Sequence, residues 1–292
     1  MSGGLTLAEG GARVEIDPAL GAGLRRYDFA GRAVFRRFDA SAPDPALGMA
    51  MNLLAPWSNR VSGGGFRFEG AFHPLAPTLP GEPCPIHGTA WREPWRVEAA
   101  GAAEARLSRV SEGPAPYAWR AEATYALRDG ALSVALSVEN RARRATPYGL
   151  GLHPWLPRGP GARLRARARR VQLQDDRRLP TETVPLGARP DWDFSRLRPL
   201  PEGWINNAFD GWDGAAEIAW PGLTLRIEAS PELPVFLLYA PSAEAGFFCF
   251  EPASHVVDAH NLPPEAGSGL TRLEPGARLS AHVLFQPRAE AS

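Results

Sequence analysis

"ATYALRDGALSVALSVEN", residues 123–140, decides the fold class. Leu132, Val134, Leu136 and Val138 recur at every second position, with Ser133, Ala135, Ser137 and Glu139 between them. A repeat of two sends successive side chains to opposite faces, so this segment reads as a half-buried antiparallel strand. Asp129-Gly130 separates it from an earlier alternating segment. That dipeptide accepts positive φ at low cost and predicts a tight hairpin turn. "LTLRIEA" (223–229) alternates in the same way, and "RLRARARR" (163–170) alternates arginine with apolar residues, as a strand with one solvated face does. "PVFLLYA" (234–240) and "GFFCFEP" (246–252) are continuous apolar runs, which fit strands covered on both faces. Thirty glycines and thirty prolines punctuate the chain, and no proline-free stripe recurs at helical spacing. The expectation is an all-β protein: one large antiparallel β-sandwich over residues 1–292, with few short helices. The Pro/Gly-rich stretches 41–47, 74–85, 157–161 and 180–203 are expected to be surface loops.

Composition removes several function classes. The 32 basic and 32 acidic residues balance, so there is no electrostatic footprint for nucleic acid. All the basic residues are arginine. No run of about 18 apolar residues is present, so no helical membrane span is expected. The opening "MSGGLTLAEGGARVEIDP" lacks a basic region followed by an apolar one, and two cysteines, Cys84 and Cys249, are too few for a disulfide framework. A cytoplasmic location is therefore expected, with reduced thiols. Monomer and homodimer are both compatible with the sequence.

Working outward, chemistry concentrates in a few short stretches. "PWSNRVSGGGFRFEG" (56–70) packs three glycines between Trp57, Arg60, Phe66 and Phe68. The glycines precede no Lys-Ser/Thr and open no helix, so they do not form a phosphate-binding loop. Six histidines occur, at 73, 87, 153, 255, 260 and 282. His87 lies in "PIHGTAW", where Gly88 permits close backbone approach. His153 lies in "GLGLHPWLP"; Pro154 biases it away from helix, and Trp155 offers a flat apolar face of the kind that packs on a sugar. Glu251 ends the apolar run "GFFCF". Either it is a strand-end carboxylate in solvent, or it is desolvated, with the raised pKa that suits a general base. Cys84-x-x-His87 together with Cys249 and His255 would supply zinc ligands, but the second pair has loose spacing and no metal is expected. There is no G-x-S-x-G elbow.

Taken in order, "NLLAPWSNRVSGGGFRFEG", "PIHGTAW", "GLHPW", "NNAFDGW" and "FCFEP" resemble the aldose 1-epimerase (galactose mutarotase) family across residues 50 to 260. That family's pattern is similar to P-x-x-N-R-[IV] with glycines and F-x-[FWY]-x-G, then H-G, a second His before Pro or Tyr, D-x-x-F, and a strand-end Glu. The chain looks like the shorter bacterial branch, which carries an aromatic-Gly-Trp segment like "FDGWDG" (209–214). The resemblance implies a mutarotase-type supersandwich and a cofactor-independent isomerase acting on a free aldose. It implies Glu251 as general base at the anomeric hydroxyl, His153 as general acid at the ring oxygen, and His87 as a second cleft histidine. It further implies Arg60, with Asn59, as a contact to sugar hydroxyls, with the glycines forming the turn of a hairpin whose second strand is "FRFEG". Trp57, Trp155 and Trp212 are stacking candidates. The family's D-x-x-F aspartate falls on Asn206, and Asp210 and Asp213 are the nearest carboxylates that would compensate. Two other readings stand beside this one: a non-catalytic carbohydrate-binding protein on the same fold, and a mutarotase for hexose 6-phosphates, which would need an arginine cluster at the cleft.

Overall fold

The computed structural model describes residues 4–263 and 267–289. The 123–140 segment forms the expected hairpin: Trp119–Arg128 pairs with Ala131–Asn140, with Leu127 opposite Leu132. Asp129 and Gly130 turn it with φ of 51° and 80°, the left-handed pair that a two-residue connection needs. Burial alternates along Trp119–Arg128 residue by residue.

Two large antiparallel sheets carry the structure. The nine-stranded sheet contains this hairpin together with Ala215–Trp220, Leu223–Ala229 and Arg278–Ala289. The eleven-stranded sheet has at its centre, in spatial order, Met51–Leu54, Gly151–Pro157, Phe247–Ala253, Val235–Ala240 and Ile205–Asp210. The inner faces meet in one apolar cluster that includes Val134, Leu136 and Val283 from the first sheet and Leu53, Leu152 and Phe250 from the second. This is sheet-on-sheet packing, in which each strand gives every second side chain to the shared core.

The continuous apolar runs lie at the middle of the larger sheet. Phe248 and Phe250 enter the core, while Cys249 and Glu251 point the other way and are also buried. The second face is covered by loops rather than by another sheet, and the candidate site lies beneath those loops.

Two expectations change. Gly63 and Gly64 form a turn, but "FRF" is the first strand of its hairpin, not the second. Gly65–Phe68 pairs with Ala71–Pro74, and the turn falls at Glu69-Gly70, with φ of 48° and 82°. The stretch 180–203 is not loop throughout. Pro180–Pro185 pairs with Arg170–Gln174 at one border of the larger sheet. Its exposed side chains and flanking prolines suit an edge strand, which hides its signal. The short helices reduce, among the described residues, to two 3₁₀ turns at Leu186–Ala188 and Pro190–Trp192. Among the described residues no helix is long and apolar enough to cross a membrane.

Candidate active site

Strand parity assembles the cleft. On the side of the larger sheet away from the core, Gly151–Pro157 presents His153 and Trp155, Phe247–Ala253 presents Cys249 and Glu251, Val235–Ala240 presents Tyr239, and Ile205–Asp210 presents Asn206. Register aligns them, with Trp155 opposite Cys249, Cys249 opposite Tyr239, and Tyr239 opposite Asn206. His153, Trp155, Asn206, Tyr239 and Glu251 line a cavity of about 230 Å³ that Asn59, Arg60, Glu82 and His87 close from the other side. Leu47, Leu79 and Ile86 complete its apolar wall.

The closing loops are held by strained backbone and reciprocal hydrogen bonds. Asn59 and His87 both adopt left-handed φ, 58° and 63°, a cost retained at sites that the surroundings over-determine. The Asn59 N–H donates to His87 Nδ1 at 3.0 Å, and the His87 N–H donates to the Asn59 carbonyl at 3.0 Å. Because Nδ1 accepts, neutral His87 carries its proton on Nε2. Asn59 Oδ1 accepts from the Arg60 N–H at 2.9 Å, so Asn59 orders the loop. Gly88, at φ 61°, lies so close to the Ala55 carbonyl that any Cβ would collide with it. Arg60 is buried and ion-paired with Glu82 at 2.7 Å. Behind the loop, His255 Nε2 accepts from the Ser58 N–H at 3.0 Å while Nδ1 donates to the Val256 carbonyl.

His153 Nε2 lies 3.3 Å from Glu251 Oε1. Burial pushes the Glu251 carboxyl up to about 8, against a smaller lowering by the Arg60 charge. Burial pushes His153 down to about 4. Both directions disfavour charge in a dry site, so at neutral pH the pair holds one proton, which rests on the carboxyl and lies within reach of the imidazole. The other carboxyl oxygen, Oε2, is buried without a partner. His153 stacks on Trp155, with ring centroids 5.2 Å apart and planes 21° apart. The Arg36 guanidinium covers Trp155, at 4.2 Å from its centroid. His87 stands edge-on to His153 at 5.3 Å and is pushed well below the ordinary histidine value, by burial and then by the neighbouring His153 and Arg60.

Of the residues singled out in the sequence, Glu251, His153, His87, Arg60, Asn59, Asn206 and Trp155 meet at this cavity. Three do not. Trp212 is a core residue, edge-on to Phe236 and Phe250, with its indole N–H donated to the Ala215 carbonyl. Asp210 lies at the far end of the strand that carries Asn206 and is ion-paired with Arg170. Trp57 is fully buried against Tyr117. Asp213 caps the N–H of Ala215 and does not line the cavity. The aromatic-Gly-Trp segment therefore builds core. Glu82, Tyr239 and Arg178 line the cleft and went unread. Glu82 sits in a proline-rich loop without periodicity, and Tyr239 ends an apolar run that reads as core. The zinc quartet does not assemble, because His255 uses both ring nitrogens within the fold. Among the described residues, the group of three potential ligands within 4.8 Å of one another is His153, Cys249 and Glu251, the proton-sharing pair with a buried thiol beside it. A larger hollow of about 440 Å³ on the exposed face of the nine-stranded sheet is lined by charged residues such as Arg165 and Glu217, which already pair with each other at 2.8 Å.

The aldose 1-epimerase family model matches residues 5–286. The chain is similar to the uncharacterized Escherichia coli K12 protein YphB, 33% identical over 239 residues, which are 79% of this chain and 81% of that protein. In structure it is similar to a candidate aldose 1-epimerase of Escherichia coli K12, with a TM-score of 0.91, 27% identity and 99% of each chain covered. It also shares its fold with a GalM/aldose epimerase homologue from C. elegans, at a TM-score of 0.83 and 18% identity over 99% of each chain. With the motifs in order along the chain, the sandwich built as expected and the family model spanning nearly all of it, the chain belongs to the aldose 1-epimerase family.

Proposed function

We propose that the protein is an aldose 1-epimerase that interconverts the α and β anomers of a free aldose. The observation that carries this reading is the buried His153–Glu251 pair at 3.3 Å in a cavity otherwise supplied with hydrogen-bonding groups and one stacked indole. A hemiacetal opens when one group removes the O1 proton while another protonates the ring oxygen. Both oxygens are bonded to C1, so acid and base must lie close together, each contributing roughly 10²–10⁴-fold.

The reactive form of the pair is the carboxylate with the protonated imidazole, and the Arg60 charge favours the carboxylate. Glu251 takes the proton from the C1 hydroxyl, and the electron pair of that O–H bond becomes the second C1–O1 bond. The C1–O5 bond breaks, and O5 takes the proton from His153 Nε2. The open aldehyde then faces protonated Glu251 and neutral His153, the arrangement that burial favours. Rotation about C1–C2 presents the other carbonyl face. Reclosure runs the two transfers backward, so the pair ends each turnover with its single proton where it began. Neutral His87, with its proton on Nε2, donates to a sugar oxygen without competing for the transferred proton. Arg60 and Asn206 hold hydroxyls, and Trp155 supports the apolar sugar face.

A non-catalytic sugar binder has no use for a buried acid–base pair. The hexose 6-phosphate reading is disfavoured because the two cleft arginines, Arg60 and Arg178, both lie against Glu82, at 2.7 and 3.9 Å. The test is a coupled assay of anomer interconversion on free and 6-phosphorylated aldoses. Acceleration of free aldoses supports the proposal; binding without acceleration supports the lectin-like alternative, and preference for the phosphates supports the other.

A further inference from the structure

The chain has two cysteines, and one of them lies beside the catalytic pair. Cys249 stands two residues before Glu251 on one strand, so the strand period turns both side chains to the same face of the sheet. Cys249 pairs with Trp155 on one neighbouring strand and with Tyr239 on the other, and both of these line the cleft. The thiol is therefore buried within the cleft wall, and the anomer exchange proposed above gives it no part. One ligand atom each from His153, Cys249 and Glu251 falls within 4.8 Å of the others.

An imidazole, a thiolate and a carboxylate are ligand types that zinc takes, and three protein ligands with an open fourth position are the form of its accessible sites. Bonds of about 2.0–2.2 Å to nitrogen and oxygen and about 2.3 Å to sulfur set tetrahedral ligand atoms roughly 3.3–3.6 Å apart. His153 Nε2 and Glu251 Oε1, at 3.3 Å, already stand at that separation, and the Cys249 sulfur needs to move by roughly 1 Å at most to join them. Glu251 Oε2 is buried without a partner, an acceptor left for a ligand. His153 and Glu251 both line the cavity, which supplies the path of entry and the open fourth position. Binding releases the Cys249 proton and the proton that the pair shares. Two protons thus leave for two positive charges, and the dry site gains no net charge.

We propose that His153, Cys249 and Glu251 form an inhibitory site for a thiophilic divalent cation such as zinc, which displaces the proton that the catalytic pair shares. With the metal on His153 Nε2 and Glu251 Oε1, neither atom can move a proton, so exchange stops. The inhibition rests on the mutarotase reading of the cleft, whereas the binding does not, and the test separates them. Anomer exchange on a free aldose is measured against rising zinc chloride or magnesium chloride, with wild type, Cys84→Ser, Cys249→Ser and Cys249→Ala. Zinc binding is taken by calorimetry on the same preparations, and cobalt(II) is added as a spectroscopic substitute. Zinc should inhibit wild type and Cys84→Ser, EDTA should restore them, and magnesium, which prefers oxygen ligands, should do nothing. The Cys249 variants should keep exchange within about twofold and need at least about tenfold more zinc for the same inhibition, as loss of a metal ligand requires. Cobalt(II) should give a near-ultraviolet thiolate charge-transfer band in wild type and Cys84→Ser that is absent from Cys249→Ser. Equal zinc sensitivity in wild type and the Cys249 variants, no inhibition of wild type, activation by zinc, or a cobalt band that follows Cys84 would overturn the site. If the Cys249 variants do not fold, the cobalt band of Cys84→Ser decides, since Cys249 is then the one thiol in the chain. If no sugar is turned over, the mutarotase reading has failed, and calorimetry with the cobalt band decides the metal site alone.

Discussion

At the residue scale the chemistry reduces to one proton shared by two buried groups. His153 depressed to about 4 and Glu251 raised to about 8 bracket the range in which the pair holds a single proton. Below that range both groups are protonated and the base is gone; above it both are deprotonated and the acid is gone. The kcat/KM profile should therefore be flat through neutrality and fall toward tenfold per unit above about 8, with macroscopic values that belong to the pair. A rate that climbs through pH 8 would instead mean that Glu251 acts as a lone carboxylate base. Asn206 sets a separate question. The family resemblance sets it in the place of the D-x-x-F aspartate, and a carboxylate accepts from two hydroxyls where an amide accepts and donates. Leaving one buried hydroxyl mismatched costs ~1–3 kcal/mol. Asn206→Asp should keep activity but reorder kcat/KM among glucose, galactose, arabinose and xylose; values that scale together would show that Asn206 does not read the sugar. That His153, Glu251 and Asn206 meet at one cavity was legible because each sits in a short local motif. Asp210 and Trp212 were misassigned because sequence proximity to Asn206 does not give side-chain direction: four residues along a strand span roughly 13 Å.

At the element scale the site depends on three segments crossing at close range. The Gly149 N–H donates to the Pro56 carbonyl at 2.8 Å, and a Cβ at Gly149 would lie inside the His255 ring. His255 in turn holds the Ser58 N–H, so the loop that carries Asn59 and Arg60 is positioned through that ring. Gly149→Ala should destabilise the fold by ~1–3 kcal/mol, as overpacking of a filled site does, and should lower activity by displacing the loop. Denaturant unfolding and kcat/KM on the same preparation check this; unchanged stability would mean that the crossing is slack. Strands with a clean two-residue repeat could be read from sequence, as in Ala131–Asn140. The Gly63–Gly65 hairpin was misplaced by one strand because glycines mark a turn without saying which neighbours pair. Pro180–Pro185 was missed because an exposed edge strand carries no apolar alternation.

At the scale of the whole molecule, covering the second face of a sheet with loops buries titratable groups, and stability then depends on pH. His87, His153, His255 and His260 are all lowered by burial. The unfolded chain therefore binds protons below about 6.5 that the folded chain refuses, and stability falls as pH drops, by up to ~1.4 kcal/mol per unit for each histidine. Glu251 has the opposite sign: its raised value makes the folded chain hold a proton that the unfolded chain releases, so its contribution is lost as pH rises from about 4.5 to about 8. Between pH 6.5 and 5, where ordinary carboxylates do not yet titrate, the histidines dominate. Denaturant unfolding across that window should show a steep loss of stability, and a flat profile would mean that the histidines are solvated. The central claim is that this buried pair catalyses anomer exchange, and its most direct test is exchange NMR between the α and β signals of dissolved free aldoses, with wild type beside folded Glu251→Gln. The account predicts exchange well above the buffer rate, reduced roughly 10²–10⁴-fold in the variant with the anomer ratio unchanged; wild-type exchange no faster than buffer for every aldose, or a variant as fast as wild type, would contradict it.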